Sequence, residues 1–581
     1  MIRSIRNAIQ VLLDWKTNKE LIKWLGEIGK NYRRYVVLFL AVNMLTMIVS
    51  LAGSLASRYA VDAATGFRTE FFWHYILIML GASVLSVLVS AASGMLASYV
   101  NEKFAFGIRA EMFGRVQRSG WMELKRYHSG DMLARLSGDI DTVASSLISI
   151  VPNVAVTAVQ LTLILIILLR NDPMLAFIGL VVGPAGALAA VAARKKYSYY
   201  QEKLKESRSE YYAFIQESLS NIDVVKAFQQ EQHNGMRLRA MGEKRIGFTL
   251  KGAALGGLMS AGMRLIYGLG YVAAFSWCAY RLTTAGTVID AAGNVRAGYT
   301  YGMMTLFLLL VSQLQGAVRT LGGVVPTIYS LLVSAGRIRE ITELEKDEGG
   351  IETVSGSVGI HAEDLSAAYD TEQGIVLENV NFEIPAGSRV GIVGASGAGK
   401  TTLIRLMLAL IHPERGTLSF ADAYGHKETV SPAARRLISY VPQGNTLYSG
   451  TVRENLCMGA PDADDEAMWK ALEQADAAEF LRKMPLGLDT LLSEGAGGLS
   501  AGQAQRIAIA RALLRDRAVL ILDEATAALD EVSEERVLEK IAQKSERTMF
   551  IITHRKAALK YCDMVLEICN GTITLHHAEK L

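Results

Sequence analysis

Cysteine is scarce in this chain. Four are present in 581 residues, Cys278, Cys457, Cys562 and Cys569, and their scatter fits no metal site, so they read as ordinary reduced residues. Net charge is nearly absent as well: a balance of +3 over this length carries no electrostatic footprint for nucleic acid, which is not expected as a partner. The basic N-terminus lacks the uninterrupted apolar core of a cleavable signal peptide, because charges break it too often. Charge is missing altogether from Leu147 to Leu169.

What the chain has in excess is hydrocarbon. Apolar residues make up 51% of it, and nearly all of the surplus lies before about residue 335. Six long apolar segments fall near 35–57, 73–98, 147–169, 174–193, 253–280 and 299–320. Each approaches or exceeds the roughly 20 residues that cross about 30 Å of hydrocarbon as a helix. The stretches at 1–34, 99–146 and 194–252 are rich in Lys and Arg, whereas Gly66 to Phe71 and Arg170 to Pro173 hold one each. By the positive-inside rule both chain ends are expected in the cytoplasm, and the loop Gly286 to Gly298, with Asp290, Asn294 and Arg296, outside.

Within residues 1–34, Ile5, Ile9, Leu12 and Leu13, then Leu21, Ile22, Leu25 and Ile28, recur at helical steps among Arg3, Arg6, Lys16, Lys19, Lys23 and Lys30. That pattern predicts amphipathic interfacial helices anchored by Trp15 and Trp24. The two long inner loops read as helical stalks continuing the crossings, with charges interleaving Leu204, Tyr211, Tyr212, Phe214 and Ile215. Polar residues within the crossings are few: Asn43, Asn153, Gln160, Gln313, Gln315 and the two arginines Arg264 and Arg319. Arg264 is a candidate cargo contact, with an interfacial position as its competing reading.

Composition changes at Glu343 to Gly350, and short β-branched runs then alternate with helical patterns, as in an α/β domain. Val390 to Val393 leads into Gly394-Ala395-Ser396-Gly397-Ala398-Gly399-Lys400-Thr401-Thr402, a G-x-x-x-x-G-K-T run between an apolar strand and a helix. In that setting backbone N–H groups cradle phosphates, Lys400 adds a positive charge, and the Thr401 hydroxyl can ligate a magnesium ion. Val519 to Leu522 reads as a buried strand ending in Asp523-Glu524; such a carboxylate pair is costly to desolvate without a cation. Asp523 is therefore expected in the magnesium shell, with Glu524 on the γ-phosphate side to polarise water. Ser500-Ala501-Gly502-Gln503, at the start of a helix, makes a second anion cradle, which makes sense if it closes on a nucleotide held by another copy.

In this order the motifs resemble the half-size ATP-binding cassette (ABC) exporters, of the type IV exporter fold, over nearly the whole chain. The resemblance implies an all-α six-helix membrane domain fused to an α/β P-loop nucleotide-binding domain, with ATP and Mg²⁺ as cofactors. It assigns Tyr369 to adenine stacking, Gly394 to Thr401 to Walker A, Gln443 to the Q-loop that touches magnesium, Leu499 to Gln503 to the signature, and Leu520 to Asp523 to Walker B. It further assigns Asp530 to the D-loop and His554 to the switch histidine; read alone, His554 would be an ordinary surface or core histidine and Gln443 would mean nothing. Gly130 to Asp139 and Asn221 to Phe228 resemble inner-loop segments, with coupling segments expected near 119–129 and 221–228. Three features depart from the family pattern: Ala501 in place of a signature glycine, Ala367 before the adenine tyrosine, and a loosened Glu494 to Gly498.

The expected organisation is interfacial helices at 1–34, a transmembrane domain at 35–336, a linker at 337–357 and a nucleotide-binding domain at 358–581. The expected activity is ATP hydrolysis driving export of a lipid, peptide or amphiphilic small molecule by alternating access in a bacterial plasma membrane. The partner is a second half-transporter chain, a homodimer in preference to a heterodimer. An importer of exporter-like fold, as in siderophore uptake, and a nucleotide-gated channel or regulator are the alternatives.

Overall fold

The computed structural model describes residues 15–30, 32–65, 71–284, 287–289, 295–349, 354, 356–369, 374–493, 497–543 and 546–577, of which 15–18, 183–195, 287–289, 295–297, 322, 325 and 556 are described by backbone alone. The expected interfacial residues before Trp15, the loop positions Asp290 and Asn294, and Glu494 to Ala496 lie outside the described residues. The chain divides into two units, Met1–Phe113 with Ser129–Thr342, and Gly114–His128 with Glu343–Leu581.

The first unit is helical. It opens with α1 (Trp15–Lys30), α2 (Arg33–Ala64) and α3 (Phe72–Gln117), the last of which runs into the short α4 (Trp121–Lys125) of the second unit. It continues with α5 (Ser129–Ala134), α6 (Ile140–Asn171), α7 (Pro173–Ser220), α8 (Ile222–Ala227), α9 (Glu231–Thr284), a hairpin of β1 (Thr287–Ile289) and β2 (Val295–Ala297), and α10 (Tyr301–Thr342). Among the described residues α2, α3, α9, α10 and the run Ser129–Asn171 are long and apolar enough to cross a membrane. Helix α7 begins with the apolar Pro173–Val182 and continues through residues described by backbone alone.

Length explains the stalks. The 46 residues of α3 and 54 of α9 far exceed the roughly 20 that span a bilayer, so each helix carries several turns into water. In α1, Leu21 and Leu25 are buried while Lys19, Glu20 and Lys23 are exposed, the two faces of an amphipathic helix. The tight corner between α6 and α7 is built on Asp172, which caps α7 by accepting from the Met174 N–H at 3.1 Å, with Pro173 in the first helical position, where no N–H is needed. The same carboxylate accepts from Trp277 Nε1 at 3.0 Å, pinning α9 to that corner.

At the other end of α6 a π-helical turn, Arg135–Asp139, carries an ionic cluster. Arg135 donates to Asp131 at 2.8 Å and Glu340 at 2.5 Å, while Arg337 reaches Asp131 at 2.5 Å and Asp139 at 3.0 Å. Gly130 to Asp139, the segment that resembles an exporter inner loop, is thus fastened to the far end of α10. Asn43 donates to the Phe39 carbonyl of its own helix at 2.7 Å and accepts from Ser93 on α3 at 3.5 Å, while Gln313 donates to Ser54 on α2 at 2.9 Å. Arg264 is exposed on α9.

The second unit is α/β. An antiparallel sheet in the order β4-β3-β6-β7 contains β3 (Val358–Ala368), β4 (Ile375–Ile384), β6 (Arg415–Asp422) and β7 (Lys427–Thr429). The larger sheet follows the order β14-β13-β5-β12-β11-β8, with β5 (Arg389–Gly394), β8 (Ile438–Val441), β11 (Val519–Asp523), β12 (Thr548–Ile552), β13 (Met564–Cys569) and β14 (Thr572–His577), while β9 (Gly450–Thr451) and β10 (Leu491–Leu492) pair apart from it. Every residue of β11 and β12 is buried, as unbroken apolar runs in a parallel sheet require. Burial pushes the Cys562 thiol up to about 12, which leaves it unreactive. Residues 118–120 join this unit through backbone bonds, Gly120 N–H to Glu345 C=O at 3.0 Å and Asp347 N–H to Arg118 C=O at 2.7 Å.

Candidate nucleotide site

Parallel register assembles the site. Strand β11 pairs with β12 and β8, and β12 with β5, placing Asp523 opposite Ile552, Ile552 opposite Ile392, and Leu522 opposite Val441. The loops that leave these four strands therefore emerge along one edge of the sheet, the side on which open α/β sheets bind ligands. Those loops carry the P-loop after β5, Gln443 after β8, Glu524 after β11 and His554 after β12.

The P-loop turns into α11 (Lys400–Met407), with Gly399 at φ 113°, a conformation in which a side chain would be strained. Ala395, Ser396 and Gly397 are exposed, Ala398 is half-buried, Lys400 and Thr402 are buried, and the Thr401 side chain is open at the mouth. The Lys400 ammonium donates to the carbonyls of Gly394 at 2.6 Å and Ala395 at 3.1 Å, so it is held at the loop it serves.

Three residues separated widely in sequence meet at one carboxylate. Glu524 Oε2 accepts from Gln443 Nε2 at 2.6 Å, and Glu524 Oε1 lies 3.1 Å from His554 Nε2. Beside it Asp523 is buried and accepts from the Tyr440 hydroxyl at 3.2 Å. Burial raises the Asp523 carboxyl above its usual range, the Tyr440 bond opposes that, and the neighbouring Glu524 charge adds to it. Two adjoining carboxylates with so few donors suit a hard cation, and Asp523, Thr401 and Gln443 offer the oxygen ligands that such an ion takes.

Tyr369 sits beyond β3 with its hydroxyl 3.1 Å from Thr402 Oγ1 and accepting from Arg405 at 2.7 Å. Its ring is also faced by cations, Lys125 Nζ at 4.9 Å from the centroid and Arg405 at 5.4 Å. Lys125 belongs to α4, whose Trp121 receives Arg405 at 4.8 Å. No motif announced this contact, since Trp121 and Lys125 precede Tyr369 by more than two hundred residues.

The signature helix α12 (Ala501–Arg515) starts in a capping box: Ser500 Oγ accepts from Gln503 N–H at 3.2 Å, and Gln503 Oε1 accepts from Ser500 N–H at 2.9 Å. The S-x-x-Q spacing was the available signal for it. A Cβ on Gly502 would stand 2.9 Å from the Ala528 carbonyl, so that glycine lets the signature helix approach the D-loop. Ala501, the departure from the signature pattern, is exposed. Asp530 caps α13 (Glu531–Ala542), accepting from Ser533 N–H at 2.9 Å. Sequence reasoning missed Arg555, which donates to the Leu529 carbonyl at 3.0 Å, the Ala527 carbonyl at 3.3 Å and the buried Glu534 at 2.6 Å.

Comparison with known proteins matches this architecture region by region. Residues 36–318 fit the ABC transporter transmembrane region and residues 377–527 the ABC transporter family. The chain is 28% identical to an ATP-dependent lipid A-core flippase of Desulfotalea psychrophila over 567 residues, 96% of each protein. It is 26% identical to a putative multidrug export ATP-binding/permease protein, YgaD, of Bacillus subtilis, over 94% of each. A bacterial Atm1-family ABC exporter with ATP bound shares its fold at a TM-score of 0.78 and 25% identity, over 94% of this chain and 96% of that one. The chain is an integral membrane protein that binds nucleotide and couples ATP hydrolysis to transport. With a transporter membrane region and an ATPase domain on one polypeptide, it belongs to the ABC transporter family as a half-size exporter.

Proposed function

We propose that two copies of this chain form an exporter that moves a lipid or an amphiphile of similar shape out of the inner leaflet of a bacterial plasma membrane, with both termini and the ATPase domain in the cytoplasm. The observation that carries this reading is the convergence of Gln443 and His554 on Glu524 beside the P-loop, the base and two positioning groups that ATP-driven transport needs from each chain. The relatives named as a lipid A-core flippase and as a putative multidrug export protein support the cargo class.

In this mechanism ATP lies between the P-loop of one chain and Ser500 and Gly502 of the other. Mg²⁺ held by Thr401, Gln443 and Asp523 would neutralise phosphate charge. Lys400 turns from its loop carbonyls to the phosphates, since both states keep its ammonium hydrogen-bonded. Glu524 takes a proton from the water that attacks the γ-phosphorus, the bond to ADP breaks, and His554 steadies the departing phosphate. Closure of the two ATPase domains favours one of two membrane arrangements, and hydrolysis releases it.

The experiment is reconstitution in vesicles with fluorescent phospholipid analogues. ATP should move the label to the leaflet opposite the ATPase domain, and a chain lacking catalysis should not. ATP hydrolysis without net movement across a broad panel of lipids and amphiphiles would defeat the export reading.

The Tyr369 cluster supplies a further expectation. A base stacking on that ring must compete with Lys125, and cation–π contacts of this kind are worth about 0.5–1 kcal/mol at partly exposed sites. Lys125→Ala should therefore tighten ATP binding about two- to fivefold in a fluorescent-nucleotide titration and weaken the stimulation of hydrolysis by cargo. Unchanged affinity would remove Lys125 from the adenine platform.

A further inference from the structure

An apolar groove of about 430 Å³ opens in the helical unit beside α1, far along the chain from any nucleotide motif. Ile22, Leu25 and Tyr32 form one wall, and Phe104, Val151 and Leu331 stand on the others. Its volume falls toward the small end of ligand pockets, about 300–1,000 Å³, which suits one hydrocarbon chain better than a whole two-chain lipid. The walls are firm: Leu25, Phe104 and Leu331 are buried, and Tyr32 packs edge-on to Phe104 with centroids 4.5 Å apart. The floor is open, because a Cβ at Gly26 or Gly29 would meet nothing within 4 Å.

The rim is cationic. Lys30 lies one turn beyond Gly26, and Arg33 one turn before Val36, both along the row of groove-lining residues. Both side chains are exposed, and neither takes part in an ion pair among the described residues. An amphipathic helix preceding the first crossing places this mouth at the membrane surface. A hydrocarbon chain gains little by leaving the bilayer for an equally apolar groove, so retention must come from the headgroup.

We propose that the groove is a binding site for an anionic phospholipid, one acyl chain lying past Gly26 and Gly29 and its phosphate paired with Lys30 and Arg33. Such a site requires only that the chain span a membrane. It anchors α1, which Arg339 on α10 also grips through Glu20 at 3.2 Å, so a bound lipid braces the N-terminal helix against the last helix of the bundle.

Native mass spectrometry of the full-length protein, titrated with phosphatidylglycerol and with phosphatidylcholine of the same chain length, tests it. The wild type should retain phosphatidylglycerol in preference. Lys30→Gln with Arg33→Gln should lower that retention roughly fivefold per cation and erase the preference. Gly26→Leu with Gly29→Leu, which fills the groove, should reduce retention of both lipids, while basal ATP hydrolysis in detergent stays normal in all variants. Equal retention of the two lipids by the wild type, or undiminished retention by the filled groove, overturns the proposal. So does efficient cross-linking of Gly29→Cys between two copies, which would make the groove a contact between chains.

Discussion

Glu524→Gln is expected to reduce steady-state ATP hydrolysis by two to three orders of magnitude while leaving ATP affinity within about twofold of wild type, the size of effect a positioned general base contributes. The substitution preserves the shape of the constellation. A glutamine amide can still meet Gln443 on one side and His554 on the other, where Glu524 now spans 2.6 and 3.1 Å, but it cannot take the proton of an attacking water. The backbone is committed as well: Glu524 is held at φ 48°, an uncommon conformation for a residue with a side chain, and its N–H donates to Ile552 at 3.2 Å. Strain retained at such a point is consistent with a site that fixes its base in place before substrate arrives. Phosphate release and nucleotide binding, measured on the same preparation, separate the two effects. Hydrolysis near the wild-type rate would remove Glu524 from the role of base.

Arg555→Met should destabilise the ATPase domain. Glu534 is buried and takes one bond from Thr526 at 2.7 Å and one from Arg555 at 2.6 Å, so the methionine leaves a buried carboxylate with a single hydroxyl for company. Breaking such a pair costs about 3 kcal/mol when one partner reaches solvent. For a domain of roughly 200 residues that corresponds to about 6–12 °C in Tm. Hydrolysis should fall as well, because Arg555 also holds the carbonyls of Ala527 and Leu529 in the loop against which Gly502 packs. Replacing both partners, Arg555→Met with Glu534→Met, should recover most of the melting temperature and little of the activity, since the loop carbonyls stay unheld. A single variant that melts with the wild type would show that the pair contributes nothing.

The legible part of the site was the part written in contiguous residues. The glycines and Lys400 of the P-loop, the acidic end of β11 and the Ser500 cradle each declare their chemistry locally, because a phosphate loop, a buried strand end and a helix start are set by neighbours along the chain. Arg555 was silent because an arginine after a strand says nothing about the carbonyls it will find. Its partners, Ala527, Leu529 and Glu534, become neighbours only when β11 and β12 lie side by side. Trp121 and Lys125 were silent for the same reason, their partners Tyr369 and Arg405 being supplied by a different part of the chain.

The sequence by itself determined that this chain enters a membrane, that a nucleotide-binding α/β domain follows, and where along it the P-loop motif lies, since hydrophobic run length and motif spacing are local properties. Tertiary structure alone decided that Gln443 and His554 grip the same carboxylate, that Arg555 holds the carbonyls of Ala527 and Leu529 together with Glu534, and that Tyr369 is faced by a lysine from α4. Those outcomes depend on strand register and on the approach of segments hundreds of residues apart. No local pattern encodes such distances; packing of the whole domain does.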